Sequence, residues 1–342
     1  MHIPDGYLSP QTYIPFYGIM LPVWYWALKI LKKTLNARQI PYLALGAAFS
    51  FVIMMFNIPI PGGSTGHAVG ATLIAIILGP WPALMAVTMA LIIQALLFGD
   101  GGITAIGANC FNLAFVMPFS GYYIYRLLSS YSGTNNTRRV FAACVAAYVS
   151  LNLAAFFTAL EFGVQPLIAH KPDGTPLYGP YPLSIAVPIM AFEHLAFFGF
   201  IEALVTGSVI AYLLRTEPLM PGIFEPDSAE AGHSLVTSKT SKRLWIGLGV
   251  LIILTPLGLI ASGTAWGEWG LKQLLDLLGF VPEGMKNLSG FRHSLMPDYS
   301  FNSESTLMQA LAYILSAVIG TGLIIVPAFF ISRIIPRGKK IN

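Results

Sequence analysis

The first two residues, Met1 and His2, can together chelate a metal ion. A free α-amine, the backbone nitrogen of His2 and the imidazole Nδ1 atom can bind one ion through a five-membered and a six-membered ring, and neither ring is strained. The backbone nitrogen must lose its proton, which Ni²⁺ and Cu²⁺ promote because they favour planar sets of nitrogen ligands. One corner of the plane stays open. A histidine at position 2 has no such role in most proteins, so this signal is weak by itself.

His67 can fill the open corner of that plane. It follows the segment Gly62-Gly63-Ser64-Thr65-Gly66 and opens a short apolar run. An ionisable residue at the mouth of a membrane span is a candidate functional residue, and glycines allow close backbone approach. The alternative is a histidine that caps a helix or is hydrogen-bonded in the interior, and the spacing does not separate the two interpretations.

The elements that must position these residues are membrane-spanning helices. Of the 342 residues, 55% are hydrophobic and only 10% are charged, whereas a soluble domain has about 25% charged residues. Apolar runs lie roughly at residues 13–31, 39–56, 67–79, 82–98, 107–130, 139–163, 182–214, 244–262 and 308–333. A helix needs about 20 apolar residues to cross a membrane, so the third run is too short to cross alone. Short helices flanked by glycine and proline occur where they line a cavity, which predicts a binding site there.

The basic residues predict the orientation of the chain. If every apolar run spans the membrane, all but four of the 19 lysines and arginines lie on the same side of it. Because basic loops face the cytoplasm, we expect the N-terminus outside and the C-terminus inside. Nothing basic precedes Lys29 except His2, so we expect the N-terminus to be retained rather than removed as a signal peptide, and the bulky His2 to prevent removal of Met1.

Residues 216–242 are polar, contain prolines and are predicted to form a cytoplasmic linker. Residues 1–215 then form a seven-span module, and residues 243–342 form a two-span module with an outside loop at about 263–307. In that loop we expect an amphipathic stretch, Leu271 to Leu278, on the membrane surface. Cys110 and Cys144 lie in apolar runs, which favours two buried free cysteines over a disulfide framework.

The sequence contains no G-x-x-x-x-G-K-[ST] motif and no H-E-x-x-H motif. We therefore expect neither ATP hydrolysis nor metalloprotease activity, and an enzyme is the least favoured class. The net charge of +4 gives no indication of nucleic-acid binding.

Several motifs resemble the CbiM/NikM family, the substrate-specific (S) subunits of energy-coupling-factor transporters for nickel and cobalt. They are residues 1–10 (MHIPDGYLSP), 54–57 (MMFN), 61–70 (PGGSTGHAVG), 78–81 (LGPW), 98–103 (FGDGGI) and 107–112 (GANCFN). The resemblance covers about residues 1–215. It implies a seven-helix bundle with the N-terminus outside, and a metal held by the Met1 amine, the His2 backbone and side-chain nitrogens, and His67. The implied partners are a transmembrane coupling (T) subunit and ABC-type ATPase subunits.

The last two spans are similar to the small NikN/CbiN-type accessory component. This looser match rests on Thr255-Pro256-Leu257-Gly258 and on residues 262–269 (SGTAWGEW). The predicted fold class is an all-α integral membrane protein, a seven-helix S-component bundle plus two additional transmembrane helices.

Other polar residues are weaker candidates. Six polar residues could surround the metal ligands and hold them in position, and the alternative is that they form hydrogen bonds between helices. They are Asn57, Ser64, Thr65, Gln94, Asn109 and Asn112. Four ionisable residues lie in or beside spans six and seven: Glu161, Glu193, His194 and Glu202. They could pair with one another or with other groups within the bundle, support the metal site or contact another subunit. We expect Asp100 to shape the turn Gly99-Asp100-Gly101-Gly102 rather than to bind metal. His170, His233, His293 and Met296 are expected in solvated loops or the linker.

These observations predict the substrate-capture subunit of an ATP-driven importer in the cell membrane. Ni²⁺ or Co²⁺ is the transported substrate, and no permanent cofactor is expected. Planar coordination through a deprotonated amide favours Ni²⁺ over Co²⁺, although Cu²⁺ would bind at least as tightly. The alternatives are a passive or secondary metal permease and a metal-sensing membrane protein.

Overall fold

The computed structural model describes residues 1–35, 39–130, 135–216, 238–261, 263–288, 294–301 and 305–334. Most of the predicted linker, His233, His293 and the basic residues after Arg333 lie outside this described part. The N-terminal region, residues 1–216, contains α1 (Pro10–Thr34), α2 (Ile40–Met54), α3 (Ala71–Leu78), α4 (Pro80–Ile93), α5 (Ile106–Asn109), α6 (Met117–Ser129), α7 (Asn136–Gly163), α8 (Gln165–Ile168), α9 (Leu183–Glu193) and α10 (Gly199–Thr216). The C-terminal region, residues 238–334, contains α11 (Ser238–Leu254), α12 (Leu271–Leu278), α13 (Glu283–Leu288) and α14 (Thr306–Ile334).

Short segments of other helix types continue several of these helices. Three are π-helical, Gln94–Phe98, Cys110–Val116 and His194–Phe198, and two are 3₁₀-helical, Thr255–Ile260 and Pro297–Tyr299. π-Helical turns widen a helix locally and are frequent at functional sites. All three contain a polar residue singled out from the sequence, Gln94, Asn112 and His194.

Six helical segments in the described residues are long and apolar enough to cross a membrane: Pro10–Thr34, Pro80–Phe98, Asn136–Ile168, Leu183–Thr216, Lys239–Ile260 and Thr306–Phe329. Helix α2 has 15 residues and α3 has eight, which is about 12 Å for α3 at 1.5 Å per residue. The predicted helical membrane architecture is confirmed at this level, and the count of seven plus two spans remains a prediction.

The predicted start of the short third helix is wrong, because α3 begins at Ala71 and not at His67. Residues Thr65–Gly66 form strand β2, which pairs antiparallel with β1, Ile58–Pro59. Gly70 then takes a left-handed conformation with φ of 73°, which a glycine adopts at little cost. His67 therefore lies in a connection between a small β-ladder and the helix, and this ladder is also a departure from the all-α prediction.

The core of the N-terminal region is built around α7, which packs against α6, α9 and α10. Its buried face is rich in small residues: Ala142, Ala143, Ala146, Ala147, Ser150, Ala154, Ala155 and Ala159. Small side chains at this spacing let neighbouring membrane helices approach closely. Of the two free cysteines, Cys110 is buried as predicted, whereas Cys144 is only half-buried.

The C-terminal region docks on α2, which contacts both α11 and α14. Gly320 of α14 faces the ring of Phe51, where a Cβ atom would collide with the ring. Helix α12 coincides with the predicted amphipathic stretch, but its buried residue, Leu274, packs in a cluster with Ile3, Tyr7 and Leu8. One face of α12 thus covers the N-terminal segment of the protein rather than the membrane.

Candidate metal centre

Residues 1–9 are non-helical and lie between the two regions; residues 2–9 are buried, Ile3 fully, and Met1 is partly exposed. Asn109 at the end of α5 fixes this segment next to His2. Its Oδ1 atom accepts a hydrogen bond from the Ile3 backbone nitrogen at 2.8 Å, and its Nδ2 atom donates to the Ile3 carbonyl at 3.1 Å. This reciprocal pair sets the path of the backbone that carries His2.

Asp5 anchors the same segment to the loop before α5. Its carboxylate accepts hydrogen bonds from the backbone nitrogens of Ile103, at 3.0 Å, and Thr104, at 2.8 Å. Gly102 donates its backbone N–H to the Ile3 carbonyl at 2.8 Å, and a Cβ atom at Gly102 would collide with the Asp5 backbone. The glycine therefore lets the N-terminal segment lie directly against this loop.

His2 and His67 lie together, although 65 positions separate them in the sequence. Their rings stack with 5.0 Å between centroids and an interplanar angle of 28°, and both residues are buried. Neither ring nitrogen of His2 makes a well-aligned hydrogen bond, although Nδ1 lies 2.9 Å from Asp100 Oδ1. Buried polar atoms without a hydrogen-bond partner are rare, so Nε2, which has no partner, and Nδ1, whose close polar contact is with Asp100, are both suited to ligand binding.

The environment of His67 keeps its imidazole available. Its Nδ1 atom lies 3.1 Å from the Ala68 carbonyl oxygen, so a tautomer with the proton on Nδ1 leaves the Nε2 lone pair for a metal. Burial, followed by the nearby His2 and terminal amine, lowers the pKa of His67 to about 3. The neutral ring is the form that binds metals.

The main-chain nitrogens of the predicted chelate both contact one residue of the C-terminal region. The Met1 amine lies 3.1 Å from Glu268 Oε1, and the His2 backbone N–H donates to the same oxygen at 3.0 Å. Nothing in the sequence indicated this contact beyond the presence of Glu268 in the motif of residues 262–269. All predicted ligand residues, Met1, His2 and His67, therefore meet at one place together with this carboxylate.

Asp100 has a larger role than the predicted turn. Gly99 and Gly101 do take positive φ angles, of 67° and 85°, but the carboxylate between them faces His2. Its Oδ2 atom accepts hydrogen bonds from Tyr299 at 2.6 Å and from Gln94 Nε2 at 3.2 Å. Burial raises the pKa of Asp100, but His2, His67 and the Tyr299 hydroxyl together lower it more, so the net pKa lies well below the usual range and the carboxylate is charged.

The six supporting candidates divide into three groups. Asn109 contacts the N-terminal segment directly, and Gln94 acts on it through Asp100. Asn57 and Thr65 line the same cavity as His2, and Ser64 accepts a hydrogen bond from the Trp266 backbone at 3.1 Å. The hydrogen bonds of Asn112 instead join α7, to Thr158 at 3.1 Å and Glu161 at 2.9 Å.

The acidic residues and the histidine of spans six and seven also take distinct positions. Glu202 accepts backbone hydrogen bonds from Val69 at 2.7 Å and Gly70 at 3.0 Å, and so holds the segment after His67. Glu193 and His194 line a small space beside Met1 and His67. Glu161 is paired with Asn112.

A cavity of about 380 Å³ adjoins the two histidines. Its lining includes His2, His67 and three acidic residues, Asp100, Glu268 and Asp298. A negatively charged cavity raises the local concentration of cations. In the described part of the chain, no three His, Cys, Asp or Glu side chains are placed to hold an ion by themselves, and the candidate site combines only two imidazoles with main-chain nitrogens.

A larger cavity of about 590 Å³ lies between α2, α3, α10 and α11. Its lining is almost entirely apolar, with Arg243 as the charged exception, and contains neither histidine nor carboxylate. This cavity lacks the ligands that a transition metal requires.

Comparisons with known proteins support the family resemblance. The family model described as cobalt uptake substrate-specific transmembrane region, CbiM, matches residues 2–220, and the PDGLE domain model matches residues 241–337. The chain is 45% identical to the fused nickel transport protein NikMN of Rhodobacter capsulatus, over 95% of each chain. It is 40% identical to the probable fused nickel transport protein LarMN of Lactiplantibacillus plantarum, over 93% of each chain.

A crystal structure of a truncated transition metal transporter superposes on 63% of this chain and 99% of that chain, with a TM-score of 0.59 and 53% sequence identity. The predicted resemblance, including a second component fused behind the first, is confirmed. The chain belongs to the CbiM family of substrate-specific transmembrane proteins of cobalt uptake, and it carries a PDGLE domain after the family's transmembrane region.

Proposed function

We propose that this protein captures Ni²⁺ or Co²⁺ outside the cell for import. The ligands are the Met1 amine, the His2 backbone nitrogen and Nδ1 atom, and the Nε2 atom of His67. The observation that carries the proposal is the stacking of His2 on His67, with the ring nitrogens of His2 buried and without aligned hydrogen bonds. Close relatives named as nickel transport proteins support the choice of nickel.

Binding begins in the acidic cavity beside the histidines. The carboxylates of Asp100 and Asp298 attract the hydrated cation. The ion then exchanges water for nitrogen ligands, while the amine and the His2 amide release their protons. Because the amide binds only as an anion, the site favours metals that stabilise a planar nitrogen set, Ni²⁺ before Co²⁺.

Import needs energy. The sequence of this chain contains no G-x-x-x-x-G-K-[ST] motif for nucleotide binding that could supply it. The family resemblance supports a separate coupling subunit and ABC-type ATPase subunits as partners. The distribution of basic residues supports an N-terminus outside the cell membrane and a C-terminus inside it. The matches of the two family models support a division into a seven-span module, a linker and a two-span module.

The test is nickel uptake in cells that express the protein with its coupling and ATPase partners. We expect uptake to be lost in His2→Ala and in His67→Ala at unchanged protein levels, because each removes a ligand. His170→Ala is the matched control, since His170 is exposed in a loop. Unchanged uptake in both ligand variants would contradict the proposal.

The same assay separates the alternatives. Uptake that survives deletion of the coupling and ATPase subunits would indicate a passive or secondary permease. Metal binding by the purified protein, without transport in vesicles that contain the whole complex, would indicate a sensor.

A further inference from the structure

A single carboxylate oxygen contacts both main-chain nitrogens of the proposed chelate. Glu268 Oε1 lies 3.1 Å from the Met1 amine and accepts the His2 backbone N–H at 3.0 Å. The amide N–H points along the side of the peptide plane that faces Met1. Rotation about the Met1 Cα–C bond decides whether the amine nitrogen lies on the same side of this bond as the amide nitrogen. One oxygen can contact both nitrogens, without colliding with the Met1 Cα atom, only when they lie on the same side.

That arrangement is the one that a five-membered chelate ring requires. An ion bound by the amine and the amide must approach both nitrogens from the same side. If the Cα–C bond were rotated by half a turn, the two nitrogens would diverge and no single ion could reach both. The contact with Glu268 therefore holds Met1 and His2 in the backbone conformation that binds metal.

The loop that carries Glu268 is fixed to the N-terminal region on both sides of the carboxylate. Before it, the Trp266 backbone N–H donates to Ser64 Oγ at 3.1 Å. After it, the Trp269 carbonyl accepts the Tyr7 hydroxyl at 2.9 Å. The two indole rings pack edge to face with 5.7 Å between their centroids. Glu268 is consequently held in place by packing and does not depend on the metal ligands for its position.

We propose that Glu268 is a positioning residue for metal loading, through which the C-terminal region prepares the N-terminal chelate. This inference rests on the proposed function, because it assumes that the two nitrogens are ligands. Glu268 acts by the placement of an acceptor oxygen and not by its charge. Fixing a binding-competent conformation before the ligand arrives raises the apparent affinity and the rate in proportion to the population of that conformation.

Two conservative substitutions separate placement from charge. Glu268→Gln removes the charge but leaves an oxygen of the same reach, which can accept both N–H groups. Glu268→Asp keeps the charge but withdraws the oxygen by one methylene group, so it cannot reach both nitrogens from the fixed loop. Asp276→Asn is the control for charge alone, since Asp276 is exposed on α12.

The experiment mixes purified full-length protein with Ni²⁺ and follows the visible absorption of planar amide-bound nickel in a stopped-flow instrument. We expect Glu268→Asp to load about tenfold more slowly than the wild type, and Glu268→Gln to load within about threefold of it. Asp276→Asn should load at the wild-type rate. All four proteins should reach the same final spectrum, because the ligands are unchanged.

Loading of Glu268→Asp at the wild-type rate or faster would overturn the inference, and a faster rate would mean that Glu268 obstructs the ion. Slowing in Glu268→Gln with loading of Glu268→Asp at the wild-type rate would assign the effect to charge, and equal slowing in both variants would show that an acceptor oxygen at this reach is not sufficient; either result would also overturn the inference. Absence of the planar nickel spectrum in the wild type would instead contradict the proposed function itself. The failures of the two proposals are therefore distinguishable.

Discussion

His2 supplies two of the four proposed ligand atoms, its backbone nitrogen and Nδ1, and the ring size of the chelate depends on its place directly after the amine. No other residue type offers an imidazole nitrogen at this distance from its own backbone nitrogen. His67 contributes the fourth atom, and its low pKa, caused first by burial, means that no proton competes with the metal there near neutral pH. The affinity of the site should therefore depend on the protons of the other ligands.

The protons that the ligands release on binding determine how the affinity for Ni²⁺ depends on pH. The amine and the amide each lose a proton on binding. Since protons compete with the metal for these nitrogens, the affinity for Ni²⁺ should rise with pH by about 100-fold per unit or more between about pH 5.5 and 6.5.

Isothermal titration across that range measures the slope. His67→Ala should bind more weakly but with the same slope, because His67 with a pKa of about 3 releases no proton in this range. An affinity independent of pH would show that the amine and the amide are not ligands.

Among the structural elements, the N-terminal segment depends on α5 for its position. Asn109 there pairs with both backbone groups of Ile3. Asn109→Leu would leave the buried Ile3 N–H without a partner, at a cost of about 1–3 kcal/mol, and would leave the Ile3 carbonyl with only the Gly102 N–H. We expect nickel affinity to fall by at least about tenfold, because docking of the segment is coupled to binding.

Asn112→Leu is the matched control for this prediction. Asn112 is equally buried, but its hydrogen bonds join α7. It should lower the thermal unfolding temperature without a selective loss of nickel affinity. Equal affinity of Asn109→Leu and the wild type would show that the segment does not depend on this pair.

The sequence predicted correctly those helices whose position is determined by hydrophobic composition. The long helices such as α7 and α14 lie where apolar runs predicted them. The start of α3 was predicted wrongly, because the left-handed Gly70 and the pairing of β2 with β1 override an apolar run that continues back to His67. Local composition does not reveal a two-residue ladder that depends on a partner strand.

In the whole molecule, the metal site lies where the N-terminal and C-terminal regions meet. Glu268 contacts the chelating nitrogens, and Tyr299 donates to the Asp100 carboxylate that faces His2. Tyr299 does so from a left-handed backbone conformation with φ of 59°. Such a conformation is uncommon for a bulky residue, which is consistent with a functional constraint on this contact.

The sequence predicted the ligands but not these contacts between regions. Met1, His2 and His67 could be proposed from the geometry of chelation and from the motifs around them. Glu268 lies 266 positions from His2, and no periodicity or local pattern connects residues so far apart. Asp100 was assigned to its turn because the glycines beside it are a strong local signal, whereas its partners, His2 and Tyr299, come from distant parts of the chain.

Removal of the C-terminal region tests whether its contacts with the N-terminal region matter for metal loading. The solved relative matches 63% of this chain over nearly its whole length, and the CbiM family model matches residues 2–220, so we expect residues 1–216 to fold alone. We expect this truncated protein to bind Ni²⁺ with the same planar spectrum, because the ligands remain, but to load it about tenfold more slowly, because the preparing contacts are lost. Loading at the full-length rate would show that the C-terminal region does not prepare the site.

In the proposed site, the metal chelate begins at the N-terminal amine. Titration of the purified protein with Ni²⁺ and Co²⁺, beside a variant with one alanine inserted between Met1 and His2, tests it most directly. The insertion retains every ligand type but moves His2 away from the amine. We expect tight one-to-one binding by the native protein, with Ni²⁺ preferred, and its loss in the variant. Equal binding by both proteins would contradict the account and would place the metal elsewhere, with Glu193 and His194 as the next candidates.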